Sequence, residues 1–584
     1  MSDFHGTLTV DGARIAGDAV PETHLGCEVV VSGFVAGRAE LGHRLGAPPG
    51  ASEAELVAHA YRRWGDRLSA HVHGEYAAAV VDRGAGTALL THDALGLATL
   101  FHSSRGGRVR FATDLADLAA AGDELDREYI ADFLAFGFIT GARTPFAAVQ
   151  RLLPGKSLVW SAGRLRERQA WSLSDVERLR HGSDGEYEEH LRALLGAAVE
   201  GSLDPERPTW ISLSGGLDSS TIACVAAAAG DRDLAALSVL TSAWPESDES
   251  AWMKSVVERY ELPWHTIELE SMLPFTELPR GVPAEPTQAV IEEARLGVQN
   301  EIAGAHGVRV LMTGHAGDAV LCASPGAIPF HLADPLFSGR PLAAIRSAAA
   351  WRRGTTNGRS HAFWLLRGLA EPALRHMRGQ RLTGIDLARP LPPWVKPEYD
   401  REWDLRRRVH REVAPRAREP GRQGLAHDLW VLSLATGSAP SRRMAFEVRR
   451  PLLYLPLVEF MAAIPWEQKL RPDQDRYLQR RALRGVLPED VRTRTGKANG
   501  NPALVEGLRR SRDWVPYLTE DPAIAEHGIV EADEWHRVVR RASVGQTHDD
   551  KIFLAAVALE VWLRHWARPR AAAPRVAAGP ELVA

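Results

Sequence analysis

The segment ISLSGGLDSST at residues 211–221 constrains the fold more than any other stretch of this sequence. An apolar run, WISLS, precedes its two glycines, and another apolar run, TIACVAAAA, follows its two serines. The first run predicts a buried strand and the second a helix, so the glycines lie at the carboxyl end of a strand and face a helix N-terminus. Open α/β sheets bind ligands at that place, and a helix N-terminus favours phosphate. We therefore predict a phosphate site here.

The residue types in this segment suit a nucleotide. Gly215 and Gly216 let the backbone approach a phosphate closely, and serine hydroxyls can donate to its oxygens. Asp218 repels phosphate but can hold a Mg²⁺ that bridges to it. The lysine of a GxxxxGK[ST] loop is absent, which excludes a kinase- or GTPase-type site. Such a loop suits an enzyme that releases pyrophosphate and leaves AMP on its substrate.

Two further segments follow predicted strands. RVLMTGHAGDAVL (309–321) is a strand followed by a turn that carries Gly314 and Asp318, so two aspartates on neighbouring strand ends could share Mg²⁺. SDESAW (247–252) follows the run LAALSVLT, which predicts the second strand of the series that starts with WISLS, and it begins a helix. The alternative for the latter is a plain N-cap.

The order of predicted elements divides the chain. Residues 1–175 carry short apolar runs separated by turns, which predicts an α+β domain built on antiparallel sheets. A polar stretch, 172–185, links it to residues 186–566, where strands and helices alternate before a long helical region. One of the alternating helices is predicted from about 287 to 305, and the alternation predicts an α/β domain with a parallel sheet. Residues 567–584 are rich in alanine and proline, so we predict a disordered tail.

Composition excludes several classes of protein. The net charge of -4 gives no overall basic field, so we expect no nucleic-acid partner. The sparse cysteines, Cys27, Cys224 and Cys322, form no CxxC pair, which predicts buried reduced thiols and neither disulfides nor zinc. The sequence shows neither a signal peptide nor a run of about 18–20 apolar residues, so we expect a cytoplasmic protein without a membrane partner.

The motifs resemble a known family. SGGLDSS resembles the pyrophosphatase loop of the asparagine synthetase superfamily, and TGHAGDAVL, EVRRPLL (447–453) and LPEDVRTRTGK (487–497) are similar to its other active-site segments. RWGDRLSAHVHGEYAAAVVD and TPFAAVQRLLPGKSLVW are similar to its glutaminase domain. The resemblance implies an N-terminal, degenerate glutaminase-type (Ntn-hydrolase-like) αββα sandwich. It also implies a C-terminal synthetase domain of the PP-loop, adenine-nucleotide α-hydrolase-like type, which uses ATP and Mg²⁺.

The front half departs from the family in its catalytic residues. The glutaminase uses a cysteine exposed as the first residue after Met removal, but Ser2 stands here, and the nearest cysteine is Cys27. The glutamine-binding NGxIYN segment is replaced by VSGFVAG (31–37). A serine hydroxyl is a poor substitute for a thiolate. We therefore predict an amide-forming enzyme without glutaminase activity, whose nucleophile is an amine already on its substrate.

Branches of the superfamily with these features resemble β-lactam synthetases or lasso peptide cyclases. Length, the degenerate front domain and the GHAGDAVL variant favour the lasso cyclase branch. It implies that an Asp or Glu side chain of a ribosomal precursor (core) peptide is adenylated and joined to the peptide's N-terminal amine. A leader-peptide-binding protein and a leader peptidase are the further partners implied. The alternatives are a β-lactam-type or ammonia-dependent ligase, and a degenerate synthetase that serves as a scaffold.

The resemblance and the loop pattern together give the candidate site. Glu447 is the candidate base, with a salt bridge to a neighbouring arginine as its alternative. Lys497 is the candidate for stabilising oxyanion and pyrophosphate, with a solvated surface lysine as its alternative. Asp218 and Asp318 would bind Mg²⁺, and the helical region 330–440 would wall the peptide cavity. The candidate ATP-binding residues are Leu213, Ser214, Gly215, Gly216, Asp218, Ser219, Ser220, Val239 and Gly314.

Overall fold

The structure is a computed structural model of the 584-residue chain. It describes residues 3–10, 12–204, 208–230, 233–322, 328–354, 360, 363, 365–380, 392–436, 443–472, 474–496, 501–546 and 550–567. Three sequence predictions, on Ser2, Lys497 and the tail from 568, lie outside these residues.

The front of the chain forms two antiparallel sheets. Their strand orders are β2-β1-β8-β7-β9 and β11-β10-β6-β5-β4-β3. The strands are β1 (Phe4–Thr9), β2 (Gly12–Gly17), β3 (Glu22–His24), β4 (Cys27–Val35), β5 (Gly74–Asp82), β6 (Thr87–His92), β7 (Phe101–Arg105), β8 (Arg108–Ala112), β9 (Gln150–Arg151), β10 (Lys156–Ser161) and β11 (Arg164–Gln169).

The two sheets pack face to face between helices. One core lies between the sheets and includes Phe4, Phe111 and Trp160. A second lies between the larger sheet and helices Arg38–Leu45 and Glu53–Trp64. On the outer face of the other sheet, the helix Arg127–Phe136 packs among residues from the far end of the chain. This arrangement is the predicted αββα sandwich.

The second half is built on a parallel sheet with the strand order β14-β13-β12-β15-β16. The sheet therefore winds outwards from β12 in one direction, through β13 and β14, and returns to the other side of β12 as β15 and β16. Such a reversal is a topological switch point, which opens a crevice beyond the strands' carboxyl ends. The strands are β12 (Thr209–Ser212), β13 (Leu234–Leu240), β14 (Trp264–Glu268), β15 (Val310–Thr313) and β16 (Glu447–Arg449).

Helices surround this sheet and continue to the end of the described chain. A π-helical turn, Leu366–Ala370, lies among them. The α-helices are Asp184–Glu200, Leu217–Ala228, Ser250–Tyr260, Glu293–Ala305, Gly317–Val320, Ile328–Phe337, Pro341–Gly354, Glu371–Met377, Pro397–Trp403, Leu405–Arg408, Pro420–Thr436, Leu455–Ala463, Trp466–Lys469, Tyr477–Ala482, Glu489–Thr493, Asn501–Arg510, Trp514–Thr519, Ala523–Glu526, Ala532–Ala542 and Asp550–Trp566. None of the described helices is long and apolar enough to cross a membrane.

Two predicted helix boundaries are wrong. The helix after the glycine loop begins at Leu217, not after Ser220, because Gly216 takes the extended N-cap conformation. Asp218, Ser219 and Ser220 therefore lie in the first helical turn. The predicted helix 287–305 is a 3-10 turn, Gln288–Ile291, followed by a helix from Glu293.

The two halves of the chain share buried contacts. Phe146 packs edge-on against Trp562 and Trp566 of the last helix. Arg450 follows β16 directly and binds Glu75 of β5. The Arg450 backbone N–H donates to Glu75 Oε1 at 2.8 Å, and Arg450 Nη1 donates to Glu75 Oε2 at 2.5 Å. Both side chains of this ion pair are nearly buried. The front domain is thus attached to the edge of the parallel sheet.

Glu75→Gln should lower the free energy of unfolding by about 3–5 kcal/mol, because it leaves the Arg450 guanidinium buried without its counter-charge. Urea denaturation measures this loss. Glu28→Gln is the matched control, since its partner Arg83 is well exposed, and it should cost about 0–1 kcal/mol. Equal losses in the two variants would show that the Glu75–Arg450 pair does not stabilise the domain contact.

Candidate active site

The loops after β12 and β15 meet at the switch point of the parallel sheet. These strands are direct neighbours, and Ser212 pairs with Thr313 in their register. The SGGLDSS loop and the TGHAGD loop therefore leave the sheet side by side at the same edge. The sequence-predicted pairing of these two segments is what the fold produces.

Two glycines are required where these loops touch. Gly215 has φ +71°, in the region that favours glycine. At Gly314 an added Cβ would lie 2.6 Å from the backbone nitrogen of Ser219, a contact that only glycine avoids. The helix Leu217–Ala228 therefore starts directly against the second loop. Its N-cap, Gly216, has no side chain to cap it, so first-turn N–H groups are available to phosphate.

The serines of the first loop have different roles. Ser219 Oγ accepts from the Ser214 backbone N–H at 3.1 Å, lies 3.0 Å from Ser214 Oγ, and donates to the Gly216 carbonyl at 3.2 Å. Ser214 itself is exposed at the mouth of the loop. Ser220 is fully buried, and its hydroxyl has no hydrogen-bond partner among the described residues. This burial argues against a direct contact with phosphate, and the assignment of Ser220 as a phosphate donor remains a prediction.

Ser219→Ala and Ser220→Ala should separate these roles. The first removes the hydroxyl that shapes the loop, so we expect about tenfold weaker binding of α,β-methylene-ATP by calorimetry. The second removes a buried hydroxyl without a partner, so we expect less than about a twofold change in binding and no loss of stability. A weaker complex with Ser220→Ala would place that hydroxyl in the nucleotide site after all.

The structure brings Asp218 and Asp318 together around one cation. Arg476 Nη2 donates to Asp218 Oδ2 at 2.6 Å and also to Asp318 Oδ1. Gln479 Nε2 donates to Asp218 Oδ1 at 3.3 Å. The guanidinium lies where the two carboxylates converge. Sequence reasoning missed Arg476, since no motif identifies it.

The two carboxylates fit Mg²⁺ chemically. They are hard oxygen ligands that already converge on a positive charge, which is the environment Mg²⁺ needs. No cluster of three or more metal-binding side chains occurs in the part of the chain that the structure describes. Asp218 and Asp318 would therefore hold the ion together with phosphate oxygens and water, the usual arrangement for Mg²⁺ at a nucleotide site.

The LPEDVRTRTGK segment reaches the first loop through Arg494. Its Nη1 donates to the Gly215 carbonyl at 3.0 Å, and its guanidinium lies 4.0 Å from the centroid of the Trp252 ring. Its Nη2 also forms an ion pair with Glu249. Glu249 and Trp252 belong to the SDESAW segment, so this segment does more than cap a helix. Three separate segments thus meet at the phosphate loop.

Glu447 lies at the start of β16, and its role as the base remains a prediction. In the parallel register Glu447 pairs with Val310, at the amino end of β15. The catalytic edge begins after Thr313, three residues and about 10 Å further along the strand. Glu447 Oε2 accepts from Arg449 Nη2 at 2.8 Å, which is the salt bridge foreseen as its alternative.

Two of the candidate ATP-binding residues, which we predict to lie against the adenine, differ in their access. The Leu213 side chain is buried in the core, and its backbone N–H donates to the Leu237 carbonyl at 2.9 Å. Its carbonyl accepts from Ser238 Oγ at 2.8 Å, so both of its backbone groups are already hydrogen-bonded. Val239 lies near the carboxyl end of β13 and is half-buried. It remains a prediction for the adenine contact.

A residue that sequence reasoning missed lies in the second loop. His315 follows Gly314 directly, at the carboxyl end of β15, and is exposed. Its ring makes no hydrogen bond or ion pair with the described residues. Desolvation by the surrounding protein lowers the pKa of His315, the Arg450 charge lowers it further, and Asp318 partly opposes them. The imidazole is therefore neutral at pH 7 and able to accept a proton. The signal was the histidine in TGHAGDAVL.

The sequence matches the models of two known protein families. The asparagine synthase family matches residues 190–564, which include both loops. The chain belongs to the asparagine synthase family. A glutamine amidotransferase domain matches residues 32–171 of this asparagine synthase family protein, in agreement with its αββα sandwich.

Individual relatives are distant. The family protein is 24% identical over 467 residues to asparagine synthetase [glutamine-hydrolyzing] 3 of Bacillus subtilis, covering 75% of this chain and 69% of that one. It is 30% identical over 178 residues to the amidase chyE of Penicillium rubens, covering 30% of this chain and 26% of that one. Among solved structures, B. subtilis glutamine phosphoribosylpyrophosphate amidotransferase with ADP and GMP matches at TM-score 0.21 and 11% identity, covering 53% and 84%.

Membership of the asparagine synthase family makes this protein an ATP-dependent, amide-bond-forming ligase that releases AMP. The phosphate loops at the switch point are where that chemistry belongs. The three cysteines are free and buried, as predicted from their spacing. Cys27 lies within β4, fully enclosed.

Proposed function

We propose that this ligase is a lasso peptide cyclase. It adenylates an Asp or Glu side chain of a ribosomal core peptide and joins that carbonyl to the peptide's N-terminal amine. The observation that carries the proposal is the pairing of nucleotide loops with a neutral His315 at one sheet edge, in a chain whose thiols are all buried. A buried thiol cannot attack glutamine, which supports an amine that is already on the substrate.

In the first half-reaction, a substrate carboxylate oxygen attacks the α-phosphorus of ATP, and the bond to pyrophosphate breaks. The leaving group gathers negative charge at the N-terminus of helix Leu217–Ala228, where backbone N–H groups face it. Arg476 adds a positive charge beside Asp218. When bound by Asp218 and Asp318, Mg²⁺ supplies further neutralisation of the pyrophosphate.

In the second half-reaction, the amine nitrogen attacks the acyl carbon, and the carbon–oxygen bond to AMP breaks. The attacking amine must lose a proton. The imidazole of His315 is neutral and has no hydrogen bond to a described residue, so it can accept this proton. Lys497 lies outside the described residues, and its role in stabilising the oxyanion remains a proposal.

Ring closure also needs the peptide to be held. Holding amine and acyl group within reach contributes effective molarities of about 10⁵ M or more. The predicted cavity wall at 330–440 supplies the helices Ile328–Phe337, Pro341–Gly354 and Pro420–Thr436 around a cavity of about 270 Å³. A precursor peptide, a leader-binding protein and a leader peptidase are the partners that this proposal includes.

Mass spectrometry of a leader-free candidate core peptide, incubated with the protein, ATP and Mg²⁺, tests the proposal while AMP is measured in parallel. The peptide is taken from a short reading frame beside the gene. We expect the peptide to lose one water and AMP to appear in equal amount. AMP formed only with a small β-amino acid would indicate a β-lactam synthetase instead, and AMP formed only with aspartate and ammonia an asparagine-forming enzyme.

A further inference from the structure

A cavity beside the nucleotide loops has an unusual excess of positive charge. It connects to them through Cys322, whose carbonyl accepts from the Arg476 backbone N–H at 3.3 Å. Cys322 Sγ lies 4.0 Å from Nε2 of His331, which lines the cavity. Arg476 is the residue that binds Asp218 and Asp318. Cys322 therefore lies between the cavity wall and Arg476 of the nucleotide loops.

Six cationic side chains and three carboxylates line this space, which we name the basic cavity. The carboxylates are Asp334, Glu419 and Glu467. The cations are Arg178, Arg180, Arg340, Arg346, Arg422 and Lys469. The cavity therefore carries three more positive than negative charges before His331 is counted.

Two of the carboxylates already have partners. Glu419 pairs with Arg178 and accepts from Ser338 Oγ at 3.3 Å. Asp334 Oδ1 accepts from the Gly421 backbone N–H at 2.6 Å, and its Oδ2 lies 3.6 Å from His331 Nδ1. Burial alone would lower the pKa of His331, but its hydrogen bonds to Asp334 and Cys322 outweigh it and raise the pKa to about 9. At pH 7 His331 adds to the positive charge.

Four further arginines of the cavity make no direct ion pair with a described carboxylate. Among the residues that the structure describes, no carboxylate forms an ion pair with Arg180, Arg340, Arg346 or Arg422. Arg422 Nη2 is buried without a hydrogen-bond partner. The buried Lys469 donates to the Met461 carbonyl at 2.8 Å, and burial lowers its pKa. Arg180, Arg340 and Arg346 are exposed, and Arg422 is half-buried with Glu419 and Asp334 acting on it electrostatically. The excess positive charge of the cavity is therefore open to an anionic ligand.

Apolar side chains complete the wall and indicate the kind of anion. Pro335, Ile464 and Trp466 line the cavity beside the cations, and Trp466 lies stacked on His331. A site for inorganic phosphate needs no such surface, whereas a carboxylate carried on an organic chain buries its methylenes there. The volume of about 270 Å³ admits side chains but not a folded domain.

We propose that the basic cavity binds a second carboxylate of the substrate peptide, distinct from the one that is adenylated. This inference rests on the proposed function, because it assumes a peptide substrate. The carboxylate comes from an acidic side chain or from the peptide's C-terminus, which share the same chemistry. Its contacts would fix the peptide's orientation while the other carboxylate occupies the nucleotide site.

Calorimetry without ATP tests this binding separately from catalysis. The probes are acetyl-Glu-Glu-amide for a side chain, acetyl-Ala-Ala-Ala with a free C-terminus, and acetyl-Gln-Gln-amide as the neutral control. We expect one or both anionic probes to bind at least about tenfold more tightly than the neutral one. Which of them binds identifies the source of the carboxylate. Equal binding of all three probes, or none at all, overturns the proposal.

Variants locate the site. Arg340→Gln combined with Arg346→Gln should weaken the preferred probe about tenfold or more, because both side chains line the cavity. Arg353→Gln is the matched control, since Arg353 lies exposed on the same helix as Arg346 but outside the cavity. An equal loss with the control would mean a nonspecific charge effect and would overturn the proposal. Since the assay measures no AMP, failure of the cyclase proposal would appear only in the mass spectrum.

Discussion

Asp218→Asn should lower AMP formation by at least about 10²–10³-fold. The carboxylate contacts Arg476 and Gln479, and it faces Asp318 across the guanidinium. Asparagine keeps the size of the side chain but removes the negative charge that would hold Mg²⁺ against the pyrophosphate. AMP release with the core peptide measures the effect.

A second measurement makes this prediction independent of the peptide. Binding of α,β-methylene-ATP should be strengthened by Mg²⁺ in the unsubstituted protein, but not in Asp218→Asn. Asp233→Asn is the control, because Asp233 is exposed and immediately precedes the amino end of β13. The nucleotide loops leave the sheet at the opposite, carboxyl end of the strands. If Asp218→Asn bound the nucleotide with undiminished Mg²⁺ dependence, this carboxylate would not be a metal ligand.

His315→Gln should slow amide formation by about 10²–10⁴-fold, the range for loss of a general base. Adenylation should survive, because it needs no proton acceptor, so exchange of labelled pyrophosphate into ATP should continue with the same peptide. His306→Gln is the control, since His306 is exposed near the amino end of β15. Equal loss of exchange and of amide formation would assign His315 to nucleotide binding instead.

The same imidazole predicts a pH dependence. Desolvation by the surrounding protein and the charge of Arg450 lower the pKa of His315 from 6.5, and the base must be neutral to act. Amide formation should therefore stay constant through neutral pH and fall on acidification, with a midpoint below 6.5. His315→Gln should abolish this step in the pH profile. A midpoint above 6.5 would contradict the assignment, because it would require a histidine whose protonated form is stabilised.

Local spacing was sufficient to predict the nucleotide loops. Gly215, Gly216 and Asp218 lie next to one another in sequence, and an apolar run on each side fixes their place between a strand and a helix. The burial of Ser220 could not be predicted from local spacing: it belongs to the same motif, but the helix begins at Leu217 and Ser220 is fully buried.

By itself, therefore, the sequence determined the two-domain architecture, the phosphate loop and the pair Asp218–Asp318, because strand–glycine–helix order and carboxyl-end placement are local properties. Only the tertiary structure decided where Glu447 lies relative to the nucleotide loops. Glu447 begins a strand whose register with β15 places it opposite Val310, three residues before the end of β15. That register is set by hydrogen bonds between strands far apart in the chain, and no motif within either strand encodes it.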